Sequence, residues 1–515
     1  MVNCLSVKCD QPLSEEKMTD NVFVHGVASG DPLEDRVVIW TRVTTPTPEP
    51  VEVNWKIASD SNLSNIIASG TALAQADADY TVNVDVTGLA PASRYFYQFE
   101  ALGQTSPVGR TKTLPTNGVG HLRFAQVSCA KFNAGFFNAY SCIAARDDLD
   151  FLLHLGDYIY EASNKPPASQ TPGADIGRPF DPLHECKTLA DYRRRYAQYR
   201  RDPDVQRLHA ALPLIATLDD HEFADGAWRD GASEHKPERD GDWASRRAIA
   251  FQVRWEWLPA RKPDPQDPQR VFRKVSLGGL ADLILIDTRT RRDEPVPPPA
   301  MFDPARSALG AEQRTWLLEQ FDTSNAQWKL LANPSVMATT WSKDFPPTIK
   351  QALLKLKLID VDGIGPDYDQ WDGYPVERDL LLNHWRDNQI KNVVVLSGDV
   401  HVGLAIELKR DAFDQTEEPI AVEFVTGSLT SQNLDDKMGW AARTQSIPIE
   451  QEVMKAFPHM RWCDFDSHGY VIIDVTSERV TAQWWAVDTV LRPSNNETCM
   501  AVWAVESGKP KLTQG

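Results

Sequence analysis

The sequence lacks any run of about 18 apolar residues, the length that a membrane-spanning helix requires. It also lacks an excess of positive charge, because 54 Lys and Arg residues stand against 72 Asp and Glu residues, a net charge of −18. The first absence argues against a transmembrane anchor. The second argues against a nucleic-acid-binding domain, which normally carries a basic patch. The first twenty residues contain neither an apolar signal-peptide core nor twin arginines, so no export signal is visible.

Cysteine is scarce: the chain of 515 residues has only seven, and their spacing matches neither a zinc finger nor a disulfide framework. The remaining composition, 42% apolar and 24% charged residues, is ordinary for a globular protein. The length suffices for about two to four domains and a large buried core. Most of the acidic residues are expected on the solvated surface, but clustered carboxylates would also hold cations.

Residues 21–117 predict an all-β domain. Three runs alternate apolar and polar residues between turns, namely VVIWTRV (37–43), VEVNWKIA (51–58) and YTVNVDVTGL (80–89). The stretch 89–115, with Leu-x-Pro before a Tyr-x-Tyr strand, resembles the end of a fibronectin type III-like sandwich. Pro115 then marks a linker, after which the pattern changes.

From residue 122 onward, strand-like runs alternate with segments of helical periodicity. The apolar runs lie at 122–128, 150–157, 212–218, 281–288, 328–334, 392–399, 421–428, 470–475 and 480–487, and helices are predicted at about 188–208, 241–257, 311–322 and 375–389. Continuous apolar strands that alternate with helices indicate a layered α/β core. The predicted organisation is a tail at 1–20, a β-sandwich domain at 21–117, a catalytic domain at 118–490 and a C-terminal extension at 491–515.

Residues with ligand chemistry follow one predicted strand after another. They are Cys129, Asp157, Asp219 and Asp220, Asp287 and Arg289, Asn333, and Asp399 with His401. In α/β sheets, binding sites gather at the carboxyl ends of the strands. The placement of so many ligand-type residues at strand ends therefore predicts an active site.

Short segments around these residues suit metal ions. In GDYIYE (156–161), Asp157 can bridge two cations and Tyr160 offers a hard phenolate oxygen. In SGDVH (397–401), Asp399 and His401 lie two apart and point to the same side of an extended segment. LDDHE (218–222) adds Asp220, although its neighbour Asp219 could take that place. Each residue alone also has an ordinary structural explanation, such as a helix cap, a packed tyrosine or a buried cysteine.

The sequence resembles the PhoD-like alkaline phosphatases and phosphodiesterases, a branch of the metallophosphoesterases, over nearly all of 22–487. The segments that carry the resemblance are, in order, FVHGVASGDPLEDRVVIWTRV, VSCAKFNAGFFNAY, LHLGDYIYE, TLDDHEFADGAW, LIDTRTRRD, YDQWDGYPVERDLLL and VVVLSGDVHVG. The resemblance implies a metallophosphoesterase-like β-sandwich core flanked by helices and preceded by the fibronectin type III-like domain.

The resemblance also implies the cofactors, one ferric ion and two calcium ions. The residues that resemble their ligands are Cys129, Asp157, Tyr160 and His401 for iron, and Asp157, Asp399 and Asp220 for calcium. Generic metallophosphoesterases carry GNHE and GHxH where this chain has DDHE and GDVH. Each change replaces an amide or imidazole by a carboxylate, which favours hard cations such as calcium over zinc. A conventional manganese or zinc pair is the alternative.

The implied reaction is hydrolysis of a phosphate ester by a metal-activated hydroxide or oxo group. Monoesters, and diesters such as phospholipids in a phospholipase D-type reaction, both remain open as substrates. Outside the enzymes, the alternative is a non-catalytic surface-binding protein that works through its fibronectin-like domain. Export is common in the family but no signal is visible here, so the compartment stays open, as does the oligomeric state.

Five further residues are candidates for contact with substrate. His221 is predicted to orient the phosphate or to protonate the leaving oxygen, or else to support the neighbouring metal ligand. Arg289 and Arg291 are candidates for bidentate contact with phosphate, against structural ion pairs with nearby carboxylates. Asn333 and Trp371 are predicted to contact substrate, although an Asn before Pro is also typical of a turn.

Overall fold

Two large β-sheets packed face to face form the centre of the structure, a computed structural model that describes residues 21–164, 176–340 and 368–515. The strands of residues 21–117 are β1 (Val27–Gly30), β2 (Arg36–Arg42), β3 (Val51–Ala58), β4 (Ile66–Ala74), β5 (Thr81–Thr87), β6 (Arg94–Ala101), β7 (Gln104–Thr105) and β8 (Gly109–Lys112). Those of residues 118–340 are β9 (His121–Val127), β10 (Phe151–His154), β11 (Pro213–Ala216), β12 (Ala227–Trp228), β13 (Gly231–Ala232), β14 (Arg273–Leu277), β15 (Ala281–Leu285) and β16 (Trp328–Ala332).

The last described range, 368–515, supplies the remaining strands. They are β17 (Val393–Ser397), β18 (Gly403–Leu408), β19 (Ala421–Val425), β20 (Met460–Asp464), β21 (Gly469–Thr476), β22 (Arg479–Val487), β23 (Glu497–Glu506) and β24 (Lys509–Gln514). The α-helices of the described ranges are α1 (Asn138–Ala144), α2 (Leu189–Arg201), α3 (Pro203–Ala211), α4 (Pro237–Asp240), α5 (Trp243–Trp257), α6 (Gly310–Thr323), α7 (Pro375–Asp387), α8 (Leu434–Met438) and α9 (Ser446–Ala456). None of these helices is long and apolar enough to cross a membrane.

The two central sheets have parallel strands in their middles. One sheet has ten strands in the order β24-β23-β22-β21-β9-β10-β11-β1-β2-β5, and β9, β10 and β11 run parallel. The other has seven strands in the order β14-β15-β16-β17-β19-β18-β20, and β15, β16, β17 and β19 run parallel. Parallel strands bring their carboxyl ends to one edge of a sheet, which positions the residues that follow them.

The layers follow from alternating side chains on these strands. Leu153 of β10 and Leu330 of β16 face each other's sheets in the core between them, and both are fully buried. Their neighbours Leu152 and Leu331 point outward, where Leu152 packs on the cluster that holds α1, α2, α3 and α5 and Leu331 on the one that holds α6, α7 and α9. Because both faces of each strand are covered, the strands read as continuous apolar runs. The prediction of a mixed, layered α/β fold is confirmed.

The N-terminal strands are divided between two sheets. β1, β2 and β5 extend the ten-stranded sheet, since β1 pairs in parallel with β11 through Ser29–Pro213 and Gly30–Leu214. The remaining strands, β3, β4, β6, β7 and β8, form a five-stranded sheet that packs on β2 and β5. At the other end of the chain, β23 and β24 continue the ten-stranded sheet. Strands from 21–117 and 491–515 thus share a sheet with 118–490, and the domain boundaries stay predictions.

The predicted helix at 188–208 is two helices in the structure. Asp202 ends α2 and caps α3, because its Oδ1 accepts hydrogen bonds from the backbone N–H groups of Asp204 (2.8 Å) and Val205 (3.3 Å). Pro203, which has no N–H to donate, occupies the first turn of α3. Periodicity alone did not reveal this break. The predicted tail at 1–20 lies outside the described residues.

Leu153→Ala should destabilise the protein by about 2–5 kcal/mol, because it leaves a cavity in the core between the two sheets. The matched control is Leu73→Ala on β4, where the leucine is 52% exposed and the expected change is within about 0.5 kcal/mol. Chemical denaturation of both variants measures the difference. Equal stability of the two variants would contradict the layer arrangement.

Candidate metal centre

The strand ends of the two central sheets bring together five of the six candidate ligands, namely Cys129, Asp157, Asp220, Asp399 and His401. Three groups of ligating atoms each lie within 4.8 Å of one another: Cys129, Asp157 and His401; Asp157, Asp220 and His221; and Asp157, Asp219, Asp220 and Asp399. Asp157, which follows β10, belongs to all three groups. The clustering arises because β9, β10 and β11 of one sheet and β17 of the other end at the same edge.

The backbone at this edge is strained at the candidate ligands. Residues in the left-handed region are Cys129 (φ 60°), Asp157 (φ 56°), Asp399 (φ 71°) and His401 (φ 61°). Such a conformation costs roughly 1–3 kcal/mol for a residue other than glycine and is typical of functional sites. Gly156, at φ 118°, allows close approach as well, since a Cβ there would lie 2.5 Å from the backbone nitrogen of Asp219.

Glu222 ties two of the strand-end loops together. Its carboxylate accepts hydrogen bonds from the backbone N–H groups of Asp157 (3.1 Å), Tyr158 (2.6 Å) and Asp219 (2.6 Å). The loops after β10 and β11 therefore share one buried acceptor, which holds Asp157 and Asp219 in register. The sequence interpretation treated Glu222 only as part of a charged segment and missed this role.

Sulfur, phenol and imidazole groups meet on one side of Asp157. The Tyr160 hydroxyl lies 3.4 Å from Nε2 of His401 and accepts a hydrogen bond from Oγ of Ser431 (2.6 Å). His401 donates through Nδ1 to the carbonyl oxygen of Gln432 (2.8 Å), which leaves the Nε2 lone pair free for a metal. Burial lowers the pKa of His401 to about 3, so the ring is neutral.

Cys129 completes that side and is fully buried. Its Sγ lies 3.8 Å from the carbonyl oxygen of Asp399. Burial, together with the charges of Asp157 and Asp399, raises the pKa of the Cys129 thiol well above its ordinary value. The protein alone therefore keeps this thiol protonated, and a metal ion would be required to hold it as the thiolate.

Arg289 neutralises part of the carboxylate cluster. Its guanidinium group is fully buried and binds Asp219 through Nε and through Nη2 (3.1 Å to Oδ2). Nη2 also donates to Oδ2 of Asp399 (2.7 Å), and Nη1 pairs with Asp369. Both oxygens of Asp219 are thus engaged. Of the two roles considered for Arg289, the contacts in the structure are those of the structural ion pair, and phosphate contact stays a prediction.

Two carboxylate oxygens of the cluster have no hydrogen-bond partner in the described residues. They are Oδ2 of Asp157 and Oδ1 of Asp220, and both are buried. The other oxygen of Asp220 accepts from the N–H group of Gly226 (2.6 Å). Buried polar atoms without partners are rare in proteins and point to a missing ion or water. The donor set therefore fits cations. Asp220, unlike Asp219, has an oxygen without a hydrogen-bond donor that can bind one, 3.8 Å from Nη2 of Arg289.

His221 forms an ion pair beside the cluster. It donates through Nδ1 to Oε2 of Glu161 (2.8 Å), and its ring lies 4.0 Å from that of Tyr160. Burial alone would lower the pKa of His221, but the charges of Glu161, Asp157 and Asp220 outweigh it and raise that pKa well above its ordinary value. Burial would raise the pKa of Glu161, but His221 lowers it to about 2. His221 is therefore a positively charged group that can donate a proton.

Three of the predicted substrate contacts are engaged elsewhere. Arg291 pairs with Asp267 (2.5 Å) instead of reaching the cluster. Trp371 donates through Nε1 to Oδ1 of Asn333 (3.0 Å), and both side chains are buried. The Nδ2 group of Asn333 is used by Ser335 and Ser397. In these contacts Asn333 and Trp371 support the loops under the site and offer no free polar atom to substrate.

Several residues of the site were not among the predicted ones. Besides Glu222 they include Glu161, Asp369, Gln370 and Ser431. Gln370 donates to Asp399 and accepts from the N–H group of Val336 (2.7 Å), so it anchors its loop to the cluster. Glu161 and Glu222 lie in the candidate metal-binding segments GDYIYE (156–161) and LDDHE (218–222). No local sequence pattern distinguishes Gln370 or Ser431.

Comparison with known proteins agrees with this geometry. The model of the PhoD-like phosphatase family matches residues 124–484, and the model of its N-terminal domain matches 8–115. Alkaline phosphatase D of Bacillus subtilis (strain 168) is 34% identical over 497 residues, which cover 92% of this chain and 78% of that protein. A solved structure of PhoD superposes with a TM-score of 0.84 at 31% identity, over 96% of this chain and 92% of the other.

These findings confirm the resemblance that the sequence segments carried. They also confirm the predicted enzyme class, a phosphoric ester hydrolase that depends on metal ions. The matched region 124–484 contains every residue of the cluster around Asp157. The chain belongs to the PhoD-like phosphatase family.

Proposed function

We propose that this chain hydrolyses phosphate esters at a centre of one ferric ion and two calcium ions. The single observation that carries the proposal is the contrast between two of the three groups that share Asp157, the group with Cys129 and His401 and the group with Asp219, Asp220 and Asp399. His221, in the third group, is bound to Glu161 through Nδ1. One set offers sulfur, phenol and imidazole, and the other offers carboxylate oxygens alone. Such a division suits two kinds of metal better than a symmetric pair.

The iron ligands in this proposal are Cys129, Asp157, Tyr160 and His401. Free Nε2 on a neutral His401 and the short reach from that nitrogen to the Tyr160 hydroxyl (3.4 Å) support a shared metal between them. Thiolate and imidazole are donors that bind iron, and phenolate oxygen is a hard donor suited to its ferric state. Ser431, which donates to the Tyr160 oxygen, would hold that oxygen in place as a phenolate.

The calcium ligands in this proposal are Asp157, Asp220 and Asp399. The unpartnered oxygens of Asp157 and Asp220 support their part in it. Asp219 is left out because Arg289 occupies both of its oxygens. Calcium binds oxygen ligands in flexible arrangements, which suits carboxylates contributed by three separate loops.

The chain's own residues have distinct tasks in the reaction. Cations held by Asp157, Asp220, Asp399 and His401 would supply Lewis acidity, which polarises a phosphoryl group and lowers the pKa of water so that hydroxide is available as the nucleophile. His221, held by Glu161 and 17% exposed in its side chain, is placed to donate a proton to the leaving oxygen. Nη2 of Arg289 donates to both Asp219 and Asp399, which reduces the repulsion between the two carboxylates and keeps them oriented.

The two finer parts of the fold belong to the same proposal. The four layers, helices on two packed sheets, support a metallophosphoesterase-like core for 118–490. In the N-terminal part, β1, β2 and β5 face β3, β4, β6 and β8 across one core, which supports a fibronectin type III-like sandwich. The first layer of that sandwich is continuous with the catalytic sheet.

Metal analysis tests the centre. We expect purified protein to contain iron and calcium, and Asp157→Asn to lose both together with at least about a hundredfold of activity, because Asp157 is shared. The matched control is Asp282→Asn, a buried carboxylate near the other end of β15 that pairs with Ser324. Iron-free protein with full activity on zinc alone would instead favour a conventional dinuclear site.

Tyr160→Phe should weaken iron retention and remove the visible absorption band that a phenolate bound to ferric iron produces. Tyr196→Phe is the matched control, since Tyr196 is fully buried but its hydroxyl has no partner in the described residues. Visible spectra and iron content of the two variants give the answer. An unchanged spectrum in Tyr160→Phe would remove Tyr160 from the ligand set.

Turnover tests the function itself. We expect metal-loaded protein to hydrolyse p-nitrophenyl phosphate, its bis-ester, or both, to lose activity on calcium chelation and to regain it when calcium is restored. The ratio of the two rates decides between monoester and diester preference, and a phospholipid tests the phospholipase D-type alternative. Failure of metal-loaded protein to hydrolyse any of them would favour a non-catalytic binding role.

A further inference from the structure

Lys131 lies two residues after Cys129, in the loop that follows β9. Its Nζ lies 5.4 Å from the ring centroid of Tyr160, and the side chain is half-buried. Two hydrogen bonds anchor the backbone of this loop. The carbonyl oxygen of Lys131 accepts one from Oγ1 of Thr430 (2.8 Å), and the carbonyl oxygen of Cys129 accepts one from Oγ of Ser431 (3.1 Å). These bonds fix the backbone of Lys131 beside the metal centre, and its side chain extends over the Tyr160 ring.

This ammonium group has no carboxylate within ion-pair distance (4.0 Å) among the described residues, and Glu161, Asp225 and Asp157 act on its charge only from farther away. The other positive charges of the site are paired, since Arg289 lies within ion-pair distance of four carboxylates and His221 pairs with Glu161. A half-buried ammonium group is costly unless a partner compensates it. Lys131 thus offers N–H donors beside the centre that no carboxylate within ion-pair distance uses.

An anion is the partner that chemistry predicts for such a group. In the proposed function the substrate phosphate lies between the cations and His221, whose ring packs on that of Tyr160. Lys131 and His221 both lie against that ring, at 5.4 Å and 4.0 Å from its centroid. A phosphate bound between the cations and His221 would therefore come within reach of the Lys131 side chain, whose four-carbon stem is flexible.

Resting on the proposed function, we propose that Lys131 binds a non-bridging oxygen of the substrate phosphate and thereby favours monoesters over diesters. A monoester phosphate is a dianion near neutral pH, whereas a diester phosphate carries a single negative charge. An additional fixed cation stabilises the dianion more, because the Coulomb energy scales with the charge. Lys131 is a substrate-binding residue in this proposal and takes no part in proton transfer.

The test compares three variants with the metal-loaded wild type: Lys131→Gln, Lys131→Arg and Lys437→Gln. Lys437 is the matched control, since it is exposed and its charge acts on Lys131 and His401 from a distance. The measurements are inorganic phosphate affinity by calorimetry, and kcat and KM for p-nitrophenyl phosphate and for its bis-ester. Metal content and the visible spectrum show that each variant keeps its centre.

We expect Lys131→Gln to weaken phosphate binding and to raise the KM for the monoester by about tenfold or more, while kcat/KM for the diester changes by less than about threefold. Lys131→Arg should restore most of the monoester preference, because it retains the charge. Lys437→Gln should change all of these values by less than about twofold, since its charge is exposed and screened by salt.

Three results would overturn the proposal. Unchanged phosphate affinity in Lys131→Gln would show that its ammonium group does not touch the anion. Equal losses on monoester and diester, or an equal effect of Lys437→Gln, would show a general field instead of a contact. Failure of wild-type protein to hydrolyse either ester is a different result, because it overturns the proposed function. Phosphate affinity, measured by calorimetry, would then still test whether Lys131 binds the anion.

Discussion

Asp157, Asp219, Asp220 and Asp399 crowd one edge of the two central sheets, and the repulsion among these buried carboxylates is the constraint on which the site depends. Burial, together with the neighbouring carboxylates, raises the pKa of Asp157 and of Asp219 well above the ordinary value. Arg289 and the His221–Glu161 pair compensate only part of the charge. Metal binding would supply the remainder, so cations in this family member stabilise the loops that hold them as well as the reaction they promote.

The layered fold could be predicted because its causes are local. VEVNWKIA at 51–58 matches β3 residue for residue, since alternation and β-branched residues define a half-buried strand without reference to its partners. The pairing partners of the strands could not be predicted in the same way. The four residues of β1 do not indicate that it pairs with β11 instead of a strand from residues 21–117, because the pattern of a strand specifies its buried face and not its neighbours.

The site shows the same division. Cys129, Asp157, Asp220, Asp399 and His401 could be predicted as neighbours, because each follows a buried strand and parallel strands end together. The choice between Asp219 and Asp220 could not, since it depends on Arg289, which arrives from the loop after β15. The hydrogen bond between Trp371 and Asn333 could not be predicted either, because it joins two segments that are distant in the sequence. Either residue type would also suit the wall of a substrate pocket.

The position of β9 between β10 and β21 has a consequence for protein synthesis. Cys129 follows β9, but one flank of that strand is covered only by residues 469–476 near the end of the chain. A nascent chain that has emerged through residue 340 carries Cys129, Asp157 and Asp220 but lacks Asp399 and His401. Long-range pairing of this kind is slow and leaves a strand edge exposed until late. The cluster around Asp157 can therefore be completed only after the segment with Asp399 and His401 has been synthesised, late in the growth of the chain.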